Sequence, residues 1–283
     1  MFDFLTHQGT SGTAHLWFLD TAMFDEPATT QEWLARLGHE ERVRYFAYRT
    51  AAARHGYLGT RALARTALAQ YSGQPAEQLC FGRDRLGRPE LTSPSMPGLF
   101  FSLAKTRQLA VGLFAFDRNL GVDAEFIAPI GAAEIAGCLF SPREQAELAT
   151  LAGAARLSRF YELWTLREAY VKARGVGLAL PLDQIVFRPA PEGSVLAEFG
   201  PVIRDDPAHW QFELIRLSAR HLVATCIRRP SSEDPVRIVH IDAARASTGV
   251  VPKAGYTDDD GPDRAFRPTG SSTPARTPRP RRP

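Results

Sequence analysis

The sequence predicts an α+β fold of two similar α/β halves followed by a disordered C-terminal tail. Three observations carry this expectation. Strand–helix–strand blocks occur twice along the chain, as in a mixed, layered architecture. Each block contains a long helix that ends on a glycine, Gly73 in the first and Gly175 in the second. The composition changes near Arg229, beyond which Pro, Asp, Arg, Ser and Thr largely replace the big apolar residues.

In the first half, residues 13–118, HLWFLD (15–20) alternates and reads as a strand. EERVRYF (40–46) reads as a short helix, and 51–73 as a longer one stopped by Gly73 and Pro75. LCFGRD (79–84) and LFFSL (99–103) read as strands. QLAVGLFAF (108–116) and LGVDAEFI (120–127) read as a strand pair joined at the turn-prone residues 117–119. In the second half, residues 119–229, Ser141 suits a helix N-cap, Pro142 the first turn and Glu144 the capping-box position. A long helix is expected from about 154 to 174, then strands near 183–188, 194–199, 209–217 and 221–228. QLAVGLFA (108–115) and HLVATCIR (221–228) are weakly alike, which fits duplicated halves. Residues 230–283 bury too little apolar surface to offset their ordering entropy and are expected to be disordered, with one short strand possible at VRIVHI (236–241).

The chain has 283 residues, 44% of them hydrophobic and 23% charged, with a net charge of +3. That charge is too small for a general nucleic-acid binder, and no apolar run approaches the roughly 18–20 residues that span a bilayer. Residues 1–10 lack the charged and apolar regions of a signal peptide. The three cysteines, Cys80, Cys138 and Cys226, show neither zinc spacing nor a disulfide framework. A cytoplasmic protein is expected.

Four segments carry chemistry. In Gly121-Val122-Asp123-Ala124-Glu125 the two carboxylates share one strand face, with Cα atoms ~7 Å apart, and can approach one hard cation. The same pattern suits a solvated acidic edge. Trp164, Glu168 and Lys172 follow at i, i+4 and i+8 and share a helix face. They could equally be a packed Trp beside an exposed ion pair. The stretch Phe81–Leu91 contains a Gly87-Arg88-Pro89 turn after Arg83 and Arg85, suited to phosphate or simply to a surface turn. Phe100–Thr106 is an apolar strand ending in small polar residues and Lys105.

In order and spacing these segments resemble the surfactin-type 4′-phosphopantetheinyl transferases. That family carries a Gly-Lys/Arg-Pro turn, a Phe-Asn-Leu-Ser-His segment, a Gly-Val/Ile-Asp-x-Glu strand and a Trp-Ser/Thr-x-Lys-Glu-Ala/Ser-x-x-Lys helix followed by Gly-x-Gly and Pro-Leu. This chain reads WTLREAYVKARGVGLALPLDQIVF at 164–187. The resemblance spans about residues 15–228 and implies the two-half, pseudo-twofold fold of that superfamily. It implies transfer of the 4′-phosphopantetheine arm of coenzyme A to a serine of an apo acyl or peptidyl carrier protein, the holo-(acyl-carrier-protein) synthase reaction, with release of 3′,5′-ADP. Asp123, Glu125 and Glu168 would hold Mg²⁺, with Glu168 also a base and Lys172 on the phosphates. Arg42, Arg54, Arg83, Gly87, Arg88, Ser102 and Lys105 would bind coenzyme A. A monomer is expected, acting without nucleic acid or membrane.

Two positions depart from the pattern. Asn-Leu-Ser-His is replaced by Ser102-Leu103-Ala104-Lys105, and Lys105 can stand in for the His contact to the 3′-phosphate as a point charge. Arg167 stands where the family usually has Lys, and a guanidinium does not freely replace an ammonium at a close phosphate contact. The alternative implied by these departures is a non-catalytic relative that binds coenzyme A or a carrier protein. Arg143, Arg156 and Arg159 are candidates for a basic surface that steers an acidic carrier.

Overall fold

The computed structural model describes residues 12–129 and 139–247, apart from 86, 178, 179, 230 and 232. Two sheets form its centre. The first has strand order β11-β1-β5-β4, from β1 (Thr13–Asp20), β4 (Leu99–Thr106), β5 (Leu109–Phe116) and β11 (Arg237–Asp242). The second has order β6-β10-β9-β8-β7, from β6 (Leu120–Phe126), β7 (Ile185–Pro189), β8 (Ser194–Phe199), β9 (Trp210–Arg216) and β10 (His221–Arg228). A separate hairpin joins β2 (Cys80–Arg83) to β3 (Pro89–Ser93). The helices are α1 (Pro27–Ala35), α2 (His39–Ala47), α3 (Ala51–Ser72), α4 (Pro142–Thr150), α5 (Gly153–Arg174) and α6 (Ala243–Ser247). Among the described residues no helix is long and apolar enough to cross a membrane.

Strand alternation sorts the apolar residues into three layers. Trp17 and Phe114 pack outward against Leu58, Leu63 and Leu68 of α3. Leu222, Ala224 and Phe212 pack outward against Leu163, Leu166 and Tyr170 of α5. The remaining faces meet between the sheets, where Leu16, Val111 and Leu113 lie against Val122, Val223 and Ile227. The order of layers is therefore helix, sheet, sheet, helix. The two halves also share one connectivity. β1 pairs antiparallel with β5 as β6 does with β10, and a capped short helix precedes the long one in both.

The long helices end as their sequences require. Gly73 and Gly175 adopt left-handed φ values of 66° and 65°, and their N–H groups bond back to Ala69 and Val171. A third strong signal is the capping box at α4, where Ser141 and Glu144 exchange hydrogen bonds.

Three expectations need correction. Residues 108–116 and 120–127 do not form a strand pair. Both edges of β5 are taken by β1 and β4, so β6 has no edge to join and pairs with β10 instead. The chain crosses between sheets at Asp117, whose φ is 56°. The likeness of 108–115 to 221–228 is also out of phase. It aligns Leu109, which faces the layer between the sheets, with Leu222, which faces α5. A one-residue slip in a strand reverses every face. Finally, the chain does not lose order at 230. β11 pairs in parallel with β1 from Thr13–Arg237 to Phe18–Asp242, and Ile241, Ala243 and Ala246 enter the first core. A few anchors at strand spacing outweigh a polar average composition. Residues 248–283, the remainder of the expected tail, lie outside the described residues. The sequence reading also left α1 and β3 unassigned.

His15 illustrates a cost of this packing. It is buried on β1, with Nδ1 2.5 Å from the Tyr71 hydroxyl, and burial lowers its pKa to about 4. The unfolded chain takes up a proton near pH 6.5 that the folded chain refuses until near pH 4. Stability is then unaffected by this group above pH 6.5 and falls as pH drops through the interval, by about 3 kcal/mol at ~1.4 kcal/mol per unit. Urea unfolding of wild type and His15→Gln from pH 7 to 4 is expected to show the shallower decline in the variant.

Candidate active site

The site begins with a glycine. Gly121 lies on β6 facing α5, and a Cβ there would stand 2.0 Å from the Ala169 carbonyl oxygen and 2.5 Å from the Ala173 nitrogen. Only hydrogen in place of a side chain lets the helix lie this close to the strand. Asp123 and Glu125 follow on the same face by strand alternation. Trp164, Glu168 and Lys172 meet them from the facing side of α5.

The resulting contacts are specific. Lys172 Nζ donates to Asp123 Oδ1 at 2.6 Å and to the Val122 carbonyl at 3.1 Å. Trp164 Nε1 donates to Glu125 Oε1 at 3.1 Å. Asp123 is nearly buried, and its Oδ2 has no hydrogen-bond partner. Burial pushes all three carboxyls upward, against the pull of Lys172. The Asp123 charge pushes Glu168 and Glu125 further, and Glu125 reaches about 7. The site thus concentrates negative charge that one lysine does not neutralise. Its donors are all carboxylate oxygens, the set a hard divalent cation takes, and Asp123 Oδ2 is left without a partner. The residues fit such an ion in chemistry. They do not form a closed cage, since among the described residues no three Asp, Glu, His or Cys side chains converge on one point.

Lys172 also borders a cleft of about 560 Å³ between the halves. The opposite wall carries Asp84, Gly87, Arg88, Ser102 and Leu103, and Gly175 and Gly177 lie near the helix end. Gly87 has a left-handed φ of 80° in the β2–β3 turn. Arg88 is held there by Asp84, its Nε 2.6 Å from Oδ2 and its backbone N–H 2.9 Å from Oδ1. The sequence reading missed Asp84, whose spacing from Arg88 was the available signal. Ser102 lines the cleft too, yet its hydroxyl is occupied, accepting from the Val122 N–H at 3.2 Å and tying β4 to β6.

The other proposed ligand-binding residues divide. Arg54 and Lys105 gather at Tyr48, the first donating from Nε to its carbonyl at 3.0 Å, the second with Nζ 5.9 Å from the ring centre. Arg42 is exposed on α2. Arg83 folds onto its own turn, donating to the Gly87 carbonyl at 2.6 Å, and does not line the cleft.

Two arginines have roles the sequence reading did not assign. Arg167 is completely buried on the far side of α5 and pairs with Glu144. It also donates to the carbonyls of Leu139, Leu163, Leu182 and Ile185. It makes no approach to the cleft, so the comparison with a phosphate-binding lysine does not apply. Arg159 is likewise buried, paired with Glu147 and Glu162 and bonded to the Phe187 carbonyl, and offers no docking surface.

A carboxylate–lysine cluster, with its Lys172 on the wall of a cleft, thus sits in a protein of two repeated α/β halves. A model of the 4′-phosphopantetheinyl transferase superfamily matches residues 119–226, the half that carries the cluster. The chain is 30% identical over 172 residues to 4′-phosphopantetheinyl transferase HetI of Nostoc sp., covering 60% of this chain and 71% of that one. It is 33% identical over 137 residues to a 4′-phosphopantetheinyl transferase of Bacillus subtilis, covering 48% and 59%. A holo-(acyl-carrier-protein) synthase structure from Bacillus anthracis aligns over 40% of this chain and 96% of that one, at 17% identity and a TM-score of 0.34. The protein belongs to the 4′-phosphopantetheinyl transferase superfamily.

Two substitutions test the local architecture by urea unfolding. Gly121→Ala is expected to cost about 2–3 kcal/mol through overpacking against backbone, while Gly12→Ala, with open space around it, stays within about 0.5 kcal/mol. Arg167→Met strands a buried Glu144 and is expected to cost about 3–5 kcal/mol, most of it recovered when Glu144→Leu is added.

Proposed function

We propose that the protein transfers the 4′-phosphopantetheine arm of coenzyme A to a serine of an apo carrier protein and releases 3′,5′-ADP. The observation that carries this reading is the carboxylate–lysine cluster, whose Lys172 lines the cleft, set on the half that matches the superfamily. Asp123, Glu125 and Glu168 would hold Mg²⁺, which when bound supplies positive charge to the pyrophosphate oxygens.

The chain's own residues do the rest. Lys172 sits at the cleft wall, where its ammonium can leave Asp123 for a phosphate oxygen as charge builds there. Arg88 and the open Gly87 turn face it across the cleft and suit the nucleotide end. Lys105 and Arg54 supply cations for the 3′-phosphate, and Arg42 and Arg83 lie further out on the same half. Glu168 takes the proton of the carrier serine as its oxygen bonds to the β-phosphorus. The bond from that phosphorus to the bridging oxygen breaks, and the electron pair leaves with 3′,5′-ADP. The raised Glu168 pKa suits a base that must hold this proton. This makes the protein a holo-(acyl-carrier-protein) synthase in the broad sense, and a cytoplasmic monomer is the simplest setting.

The test is the intact mass of an apo carrier protein incubated with this protein, coenzyme A and Mg²⁺. A gain of about 340 Da, one phosphopantetheine, is expected, lost without Mg²⁺ and reduced at least about 10³-fold in rate by Asp123→Ala or Glu168→Ala. No gain with several unrelated carriers, despite coenzyme A binding, would leave only the binding-module reading. Lys105→Ala is expected to raise KM for coenzyme A about tenfold, with kcat within about twofold of wild type.

A further inference from the structure

The β2–β3 turn is closed by a single residue acting at several points. The Asp84 N–H bonds the Arg88 carbonyl at 2.9 Å, and the Gly87 N–H bonds the Asp84 carbonyl at 2.9 Å. The Asp84 carboxylate then divides its two oxygens. Oδ1 accepts from the Arg88 backbone N–H at 2.9 Å and so holds the turn. Oδ2 accepts from Arg88 Nε at 2.6 Å and so holds the side chain.

That grip leaves most of the guanidinium open. Nε carries one of its N–H donors and the two terminal nitrogens carry the rest. Among the described residues neither terminal nitrogen of Arg88 is bonded. Both side chains line the cleft and are partly exposed, with Lys172 on the other wall. An ion pair this exposed adds little to stability. A carboxylate at the rim of an anion site also opposes the anion through its charge. What the carboxylate supplies at this place is orientation, since an arginine on a hairpin turn otherwise samples many rotamers.

We propose that Asp84 is a positioning residue for coenzyme A, holding Arg88 by Nε so that both terminal nitrogens are presented together to a phosphate group of the nucleotide end. The inference rests on the transferase reading above. A fork fixed in advance loses less rotamer entropy on binding, and two parallel N–H donors match two phosphate oxygens. The same geometry makes the position specific for arginine. A lysine there has a single nitrogen, and beside Asp84 that nitrogen is divided between carboxylate and phosphate.

The experiment measures coenzyme A binding by calorimetry and transfer kinetics in single and double variants. Asp84→Asn keeps an oxygen for the backbone N–H of Arg88 and removes the charge that holds Nε. It is expected to raise Kd and KM for coenzyme A about fivefold, with kcat within about twofold. Arg88→Ala raises Kd at least about tenfold, and adding Asp84→Asn to it changes nothing further. Arg88→Lys raises Kd about tenfold when Asp84 is present and no more than about twofold in the Asp84→Asn background. Because Arg88→Lys leaves the backbone bonds of the turn in place, its dependence on Asp84 reads positioning apart from folding. An unchanged Kd in Asp84→Asn, a further rise when it is added to Arg88→Ala, or an equal cost of Arg88→Lys in both backgrounds overturns the assignment while transfer by the wild type stands. A wild type that binds no coenzyme A overturns the transferase reading and the positioning role together.

Discussion

The closest constraint in the molecule is the approach of α5 to β6 at Gly121. Helix backbone lies where any side chain would collide, so the strand and helix are locked in one register. That register decides which residues meet. Two positions along the strand is Asp123, and Glu168 and Lys172, one helical turn apart, directly precede the contact residues Ala169 and Ala173. The ion pair between Lys172 and Asp123 is a consequence of the packing, and so are the burial that raises all three carboxyls and the Asp123 charge that raises Glu125 and Glu168 further.

A second device fixes the same helix from behind, and it occurs twice. Glu144 is the third residue of α4 and pairs with Arg167, which stands eight residues before the left-handed Gly175. Glu41 is the third residue of α2 and pairs with Arg65, eight residues before Gly73. Arg65 donates to the carbonyls of Ala76 and Leu79, and Arg167 to those of Leu182 and Ile185, in each case the segment leading to the next strand. The repeat of this clamp is firmer support for duplicated halves than any strand likeness. It also shows how the halves diverged. The first long helix has Thr66 and Gln70 at the positions matching Glu168 and Lys172, so only one copy carries the charged cluster.

Much of this was legible in the sequence because the signals are local. Glycine stops, the Ser141–Glu144 cap and the i, i+4, i+8 helix face depend on neighbours a few residues apart. Alternation at 120–127 put Asp123 and Glu125 on one face. What escaped was set by distant partners. Whether β6 pairs with β5 depends on which edges β1 and β4 already occupy. Whether Arg167 touches a phosphate or a buried carboxylate depends on Glu144, 23 positions away. The short strand offered at 236–241 is there as β11, but average composition misjudged how far order continues, to the helix at 243–247 whose Ala243 and Ala246 enter the first core.

The position of β11 has its own consequence. It covers the edge of the first sheet with chain made after the whole second half. During synthesis the first half must therefore wait with one β1 edge bare, open to pairing with other strands, until more than a hundred further residues have emerged. A fragment cut at the natural boundary between the halves would keep that edge exposed for good. The two halves, alike in plan, are not separable as products.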